Sequence, residues 1–577
     1  MRSTQSHAKQ SFSMKALGWA LLYFWYFSTV LQVAILVSGY SGTNGFRDSI
    51  LFSSLWLIPV FLFPRYTRAI AAAIGVVLWA TSLSMLSYYV IYGQEFSQSV
   101  LFVMFETNTH EASEFLGQYF SLKLVLIALA YTAGAIFLWT RLRPVYIPNP
   151  WRWVVSFALL YGLILNPIAI NMLKYKQDFA KASSGLASKL EPAAPWQLVM
   201  GYVQYRNQLN SLNRLLDSNH ALPPLANLKD ESGDAPRTLV LVIGESTQRG
   251  RMSLYGYPRE TTPELDALHK SDPRMSLFTN VVTSRPYTIE ILQQALTFAD
   301  EQHPDLYLTQ PSLMNMMKQA GYKTFWITNQ QTMTERNTML TVFSKQTDVQ
   351  FYMNQQRTQS AREYDTNVLK PFKTVLADPA PKKFIIVHLL GTHIRYDFRY
   401  PQGWGKFTDK HDHQPPGLDA DQSETYNSYD DANRFNDHVV SSLINDYKAT
   451  DPNGFLLYFS DHGEEVYDTP PHNIQGRNEA EPTRHMYTIP FILWTSDKWQ
   501  AAHPRDFSAD LNRKYSSSQL IHTWSDLAGL RYDGYDATRS VVSPQFVEAT
   551  RWIGNPYKKN ALRDYDALPY GDLPANQ

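Results

Sequence analysis

Residues 454–465, Gly-Phe-Leu-Leu-Tyr-Phe-Ser-Asp-His-Gly-Glu-Glu, decide how the second half of the chain is read. The run from Phe455 to Phe459 is apolar and rich in leucine and aromatics, the pattern of a buried strand. It then releases Asp461 and His462 together, followed by Gly463 and two acids. Such a tip is either the start of a polar loop or part of a site, and the neighbouring strands decide between the two. Strand-like runs recur at 238–243, 323–328, 384–390, 455–459 and 488–494, with helix-like segments such as 311–320 and 424–447 between them. Strands alternating with helices predict a mainly parallel sheet covered on both faces. Ligands of such sheets sit at the carboxyl ends of the strands.

Three of these strands release ionisable residues at their carboxyl ends: Glu245 after 238–243, His393 after 384–390, and Asp461 with His462 after 455–459. Asp461 and His462 would face opposite sides of a regular strand. Both reach one metal only if the chain turns there, which Gly463 permits. The chain has 0 cysteines, which excludes disulfides, thiolate metal sites and cysteine nucleophiles. The remaining donors, carboxylate and imidazole, suit zinc or manganese. Three protein ligands would leave a position for a nucleophile or substrate.

The first third is different. Apolar runs span Leu17 to Val37, Ile50 to Phe63, Ala69 to Tyr92, Leu124 to Trp139 and Val154 to Ile170. A spanning helix needs about 20 apolar residues. The second run is short and contains Pro59, so charge tests it. With five spans and the N-terminus in the cytoplasm, the cytoplasmic segments hold Arg2, Lys9, Lys15, Arg65, Arg68, Arg141, Arg143 and Arg152. The opposite loops between spans hold only Arg47 and Lys123. This is the positive-inside asymmetry. The length of the first run and the lack of a small-residue cleavage site favour an uncleaved anchor. An odd number of spans carries the rest of the chain across the membrane, to the periplasm in a bacterium. No ATP is available there, so a group donor must already be in the membrane.

A length of 577 residues implies more than one domain, and a formal net charge of +0 points to no nucleic-acid partner. The expected division is a five-span domain over 1–172, a connector over 173–236 and a periplasmic α/β domain over 237–577. Within the connector, Trp196 to Leu216 reads either as an interfacial helix or as a helix packed on the soluble domain.

The blocks VIGES (242–246), RGRMSLYGYPRETTP (249–263), SRPYT (284–288), HLLGTH (388–393) and SDHGEE (460–465), taken in order with the five-span anchor, resemble the phosphoethanolamine transferases of Gram-negative inner membranes. These belong to the alkaline phosphatase/sulfatase-like superfamily. The resemblance covers nearly the whole chain and is nearest to the branch that modifies a heptose of the lipopolysaccharide core. It implies Glu245, Asp461 and His462 as zinc ligands and Thr288 as a metal-bound nucleophile. His393 and His472 would hold the donor phosphate or move protons. Asn108 and Glu111, in the loop before the fourth span, would contact the head group of the donor, phosphatidylethanolamine. The chain departs from many lipid A-modifying members, which carry cysteines flanking the nucleophile; Arg285-Pro286-Tyr287 stands there instead. The missing disulfides favour the core sugar as acceptor over lipid A.

The chemistry implied is attack of Thr288 on the donor phosphorus, release of diacylglycerol and passage of phosphoethanolamine to the acceptor hydroxyl. Other readings stand beside it: a lipid A transferase, a metal-dependent glycerophosphate transferase or phosphodiesterase of the same superfamily, and a membrane-anchored binding protein with a degenerate site. His388, inside an apolar strand, reads as a hydrogen-bonded core histidine; Glu464 and Glu465 read as local polar structure.

Overall fold

The computed structural model describes residues 12–37, 43–92, 121–174, 223–330, 339–354, 364–408 and 412–569, with residues 176, 183, 186, 189–203 and 206 between them. The chain divides into two compact units, whose described residues run from Phe12 to Arg206 and from Pro223 to Pro569.

Among its described residues the first unit holds five helices long and apolar enough to cross a membrane: α1 (Met14–Val37), α2 (Thr43–Leu62), α3 (Thr67–Tyr92), α4 (Leu122–Arg141) and α5 (Trp151–Leu173). The second apolar run lies in α2, which starts earlier than the run itself. It is continued through a tighter turn at Ser54–Trp56 before Leu57–Leu62. That break places Pro59 in the first turn of the last segment, where a missing N–H costs little. Small residues let side chains of α1 approach its neighbours. Tyr23 donates to the Ala71 carbonyl at 2.8 Å, and Tyr26 donates to the Tyr131 carbonyl at 2.8 Å. A Cβ at Gly75 or Gly134 would strike these two hydroxyls. The connector helix beginning at Trp196 packs within this unit: the Trp196 ring stacks on Trp56 at 5.9 Å, and Phe52, Leu186, Leu190 and Ala193 are buried together beside it.

The second unit is built on a seven-stranded sheet of β1 (Arg237–Gly244), β2 (Met275–Phe278), β3 (Lys323–Thr328), β4 (Val349–Tyr352), β5 (Lys382–His388), β6 (Phe455–Ser460) and β7 (Phe491–Thr495). The strand order is β2-β7-β6-β1-β5-β3-β4. β6, β1, β5, β3 and β4 run parallel; β7 is antiparallel to both of its neighbours. β5 and β6 are buried throughout and β1 everywhere but at Thr238, as strands covered on both faces must be. β7 starts at Phe491 rather than 488 because Pro490 has no N–H to give the ladder. β2 and β4 were not legible as strands; each has four residues.

Three helices matter here: α6 (Thr288–Ala295), α7 (Leu313–Gln319) and α8 (Ala420–Lys448). α8 opens on a capping box, in which the Asp419 carboxylate accepts from the Gln422 N–H and the Gln422 side chain accepts from the Asp419 N–H. Its Phe435, Val439, Val440, Leu443, Ile444 and Tyr447 form one stripe against Val240, Val242, Leu456 and Tyr458 of the sheet. His388 ends β5 buried on the opposite face of the sheet from this core, which takes Ile385 and Val387 of the same strand. It differs from the expectation in one respect: among the described residues neither ring nitrogen has a hydrogen-bond partner. Burial pushes its pKa down to about 3, so it is a neutral ring, packed edge-on to Trp326 at 6.0 Å.

Candidate metal centre

The carboxyl ends of the three central strands meet. Asp461 N–H donates to the Gly244 carbonyl at 3.0 Å, and Thr392 N–H donates to the Glu245 carbonyl at 3.0 Å. Gly391 makes this approach possible. Its φ is +56°, and a Cβ there would lie 2.5 Å from the Glu245 carbonyl oxygen. Asp365 holds the same turn by accepting from the Leu390 and Gly391 N–H groups at 2.9 and 2.7 Å. Gly463 is needed for the turn after β6, because a Cβ there would lie 2.1 Å from the His485 carbonyl oxygen.

One ligand atom each from Glu245, Asp461 and His462 lies within 4.8 Å of the others, and all three residues are buried. The Asp461 Oδ1 accepts from the Ser246 and His462 N–H groups at 3.1 and 2.7 Å, and Glu245 Oε1 accepts from the Ser246 hydroxyl at 2.9 Å. Among the described residues, Asp461 Oδ2 and Glu245 Oε2 complete no hydrogen bond although buried. His462 Nδ1 lies 2.9 Å from the Gly463 carbonyl, which can only accept, so Nδ1 carries the proton. Nε2 therefore presents a lone pair, 3.4 Å from both Glu245 Oε1 and Asp461 Oδ2. Two buried carboxylates, each with one oxygen that completes no hydrogen bond among the described residues, gathered with an imidazole lone pair fit a divalent cation.

Burial and the facing Glu245 push the Asp461 carboxyl up to about 7. Burial also raises Glu245, against the opposing pull of Arg477, and lowers His462, against the opposing pull of Asp461.

Thr288 is the first residue of α6, and its hydroxyl faces the Asp461 carboxylate closely enough to oppose that rise. His393 lies near enough for the charge of His462 to act on it, although it is not one of the three grouped ligands. Burial, then the charges of Arg399, Arg477 and the neighbouring His462, hold its pKa well below the usual value, so it is neutral near pH 7. His472 is not joined to these residues. It sits in the turn of a short hairpin, where Nδ1 lies 2.8 Å from the Tyr467 carbonyl, and among the described residues no hydrogen bond or ion pair links it to the cluster. Asn108 and Glu111 lie outside the described residues.

Sequence reasoning missed Arg477 and misread Glu464. The hairpin pairs Glu465 with Gly476 and Val466 with Gln475, which returns the chain so that Arg477 meets Glu464. Arg477 Nε lies 3.2 Å from Glu464 Oε2, and Nη1 lies 2.5 Å from His462 Nε2 and 3.6 Å from Glu245 Oε1. Glu464 is thus a buried member of the site, not local polar structure. Glu465 is buried too, but it accepts from Asp468, Thr469 and Thr483 inside the hairpin region. The turn residues Asp468-Thr469-Pro470-Pro471 were the available hint of a hairpin, but they do not specify its register.

Residues 237–530 match the sulfatase family. The chain is 78% identical over 577 residues, all of both chains, to "Phosphoethanolamine transferase EptC" of Escherichia coli K12 and, over the same extent, to "Phosphoethanolamine transferase CptA" of Salmonella typhimurium. The periplasmic domain of EptC from E. coli, crystallised in complex with Zn, is 81% identical with a TM-score of 0.61, covering 62% of this chain and 100% of that one. The integral membrane lipooligosaccharide phosphoethanolamine transferase A of Neisseria meningitidis shares the fold, with a TM-score of 0.65 at 18% identity over 92% of this chain and 98% of that one.

Proposed function

We propose, from the premise that this chain belongs to the phosphoethanolamine transferases of the sulfatase family, that it moves phosphoethanolamine from phosphatidylethanolamine to a heptose of the lipopolysaccharide core through a covalent adduct on Thr288. The observation that carries the reading is the convergence of Glu245, Asp461 and His462 beside a threonine at a helix N-terminus. The protein acts from the inner membrane, with its N-terminus cytoplasmic, residues 1–172 spanning, 173–236 connecting and 237–577 periplasmic.

Glu245, Asp461, His462 and the Thr288 hydroxyl would hold zinc; the carboxylate oxygens that complete no hydrogen bond among the described residues, and the unprotonated Nε2, support this donor set. Bound there, zinc lowers the pKa of the Thr288 hydroxyl and draws charge from phosphoryl oxygens. Thr288 Oγ1 forms a bond to the donor phosphorus while the bond from phosphorus to the glycerol oxygen breaks. The hydroxyl proton passes to a base and a proton reaches the departing glycerol oxygen, giving diacylglycerol. In the second half, the acceptor hydroxyl oxygen bonds to phosphorus, the Oγ1–P bond breaks, and the acceptor's proton returns to Oγ1. His393, neutral and near the cluster, suits the base. His472, whose Nδ1 lies 2.8 Å from the Tyr467 carbonyl beside the hairpin turn, is assigned to substrate contact. Asn108 and Glu111 are assigned to the donor head group.

The test supplies the full-length protein in detergent with phosphatidylethanolamine labelled in its ethanolamine. The expected result is diacylglycerol release and label on the peptide containing Thr288, both lost on chelation. No release and no label from folded, zinc-loaded protein would reject this donor.

Zinc binding is expected to weaken as pH falls, because a proton competes for Asp461 below about 7. For that single proton the apparent dissociation constant rises about tenfold per pH unit. In chelated protein the sign for stability is the reverse of an ordinary ion-paired aspartate. The folded-state pKa lies above the unfolded value of about 3.9, so this contribution to stability is present at low pH and lost as pH rises through about 7. Calorimetric zinc titrations in buffers of differing ionisation enthalpy read the proton release; a constant unchanged between about pH 5.5 and 7.5 would contradict the assignment.

A further inference from the structure

We propose that Arg477 is a catalytic residue whose guanidinium holds the phosphoryl oxygens beside Thr288, with Glu464 and Tyr396 positioning it. This rests on the reading of Thr288 as the nucleophile.

Arg477 stands where the buried cluster meets solvent. Its side chain is 15% exposed, while Glu464 and Glu245 are each 1% exposed. Nη1 lies 2.5 Å from His462 Nε2 and 3.6 Å from Glu245 Oε1; zinc on Nε2 would take the first of these contacts, leaving the guanidinium donors at the rim of the cluster for a phosphoryl group seated there. Glu464 orients it from behind through Nε and is itself held by the Tyr396 hydroxyl, which donates to Glu464 Oε1 at 3.1 Å.

The metal-site residues, Glu464 and Thr288 cannot take this part, and Arg399, the other cation whose charge reaches the cluster, donates Nη2 to the Ile394 carbonyl at 3.3 Å. Glu245, Asp461 and Glu464 are acceptors. The single N–H of the His462 ring is committed to the Gly463 carbonyl. Thr288 is the attacking oxygen. A phosphodiester gains negative charge on its free oxygens as Oγ1 closes on phosphorus, and a guanidinium can donate to two of those oxygens at once.

Arg477 is also registered to the nucleophile. Three residues before Thr288, Arg285 Nε pairs with Glu479 Oε1 at 2.6 Å, and both side chains are almost wholly buried, at 4% and 3% exposed. Glu479 lies two residues after Arg477. The Tyr287 ring, next to Thr288, is 6.0 Å from the Arg477 guanidinium. The loop that carries the attacking oxygen and the loop that carries the cation are therefore tied by a buried ion pair, in a chain with 0 cysteines to tie them otherwise.

Full-length Arg477→Gln and Arg477→Lys, zinc-loaded in detergent, test this against a purely structural pairing with Glu464. Three quantities are read: zinc content, the single-turnover rate of label transfer to the protein, and inhibition by orthovanadate. The expected result for Gln is full zinc content with adduct formation slowed about 10²–10³-fold and vanadate inhibition weakened in parallel. Lys keeps the charge without the fork and is expected to recover part of the rate. A zinc-replete Gln variant with the wild-type rate would overturn the proposal. So would joint loss of zinc and rate in both variants, matched by Glu464→Gln, which is the signature of a structural pair. Should the Gln variant not fold, Lys carries the test: a zinc-replete Lys variant with wild-type rate and wild-type vanadate inhibition overturns it. Label persisting on Thr288→Ala would defeat the underlying nucleophile reading instead; an unlabelled Thr288→Ala beside a fast Arg477→Gln would defeat only this inference.

Discussion

Thr288→Ala is expected to carry no labelled adduct and to transfer phosphoethanolamine at least about 10³-fold more slowly than the wild type, at unchanged thermal stability and zinc content within twofold. The expectation of unchanged stability follows from its position. Thr288 is the first residue of α6, the N-cap before it is Tyr287, whose side chain makes no capping hydrogen bond, and the residues after it, Ile289 to Ala295, hold the helix by burial. Alanine has the better helix propensity at such a site, and the three cluster residues Glu245, Asp461 and His462 remain to hold the metal. What is lost is the hydroxyl, at a place where the first N–H groups of the helix present partial positive charge to an incoming anion. Thr288→Ser restores a hydroxyl and is expected to return label to the protein. Single-turnover labelling alongside thermal melts separates the chemical loss from a structural one: an alanine variant that labels normally means another nucleophile, and one that melts early means the position is structural.

Arg251→Ala is expected to destabilise the soluble domain by about 3–5 kcal/mol, the largest stability effect of any single truncation argued here. Arg251 is buried with two carboxylates. Its Nε and Nη2 lie 2.9 and 2.8 Å from Asp430 Oδ1, and Nη1 lies 2.9 Å from Asp468 Oδ1. Its guanidinium is 3.5 Å from the centre of the Tyr426 ring. Truncation would leave Asp468 without its cation and Asp430 with only Arg259, 2.8 Å away. The effect should reach the site. Tyr429, next in chain to Asp430, donates its hydroxyl to the Ser246 carbonyl at 2.7 Å, immediately after Glu245. Urea unfolding should show a lower midpoint at unchanged slope, with weaker zinc binding in the folded fraction. A midpoint shift worth less than about 1 kcal/mol would mean that water or Arg259 compensates the exposed carboxylates.

The parts of this protein that were legible in the sequence are those encoded by neighbouring residues. The spans are continuous apolar runs, and even the awkward second one is signalled by its flanking charges. The central strands are apolar runs because both faces of a parallel sheet are covered, and their carboxyl ends share one edge by topology alone, so Glu245, Asp461, His462 and His393 could be gathered before any coordinates were known. β2 and β4 escaped because four residues carry too little periodicity. Arg477 escaped because nothing within its own stretch marks it: a shift of one residue in the pairing of Glu465 with Gly476 would move it from Glu464. The same holds for Glu464, for the Arg285–Glu479 tie and for the Arg251 box. Each is a pairing of charges far apart in the chain, and burying a charge is tolerable only where its partner arrives at hydrogen-bonding distance. Local hydrophobic pattern thus determined the spans, the sheet and the edge that bears the site. Only the folded chain decided which buried charges meet there, because that depends on register and packing between segments that the linear sequence leaves separate.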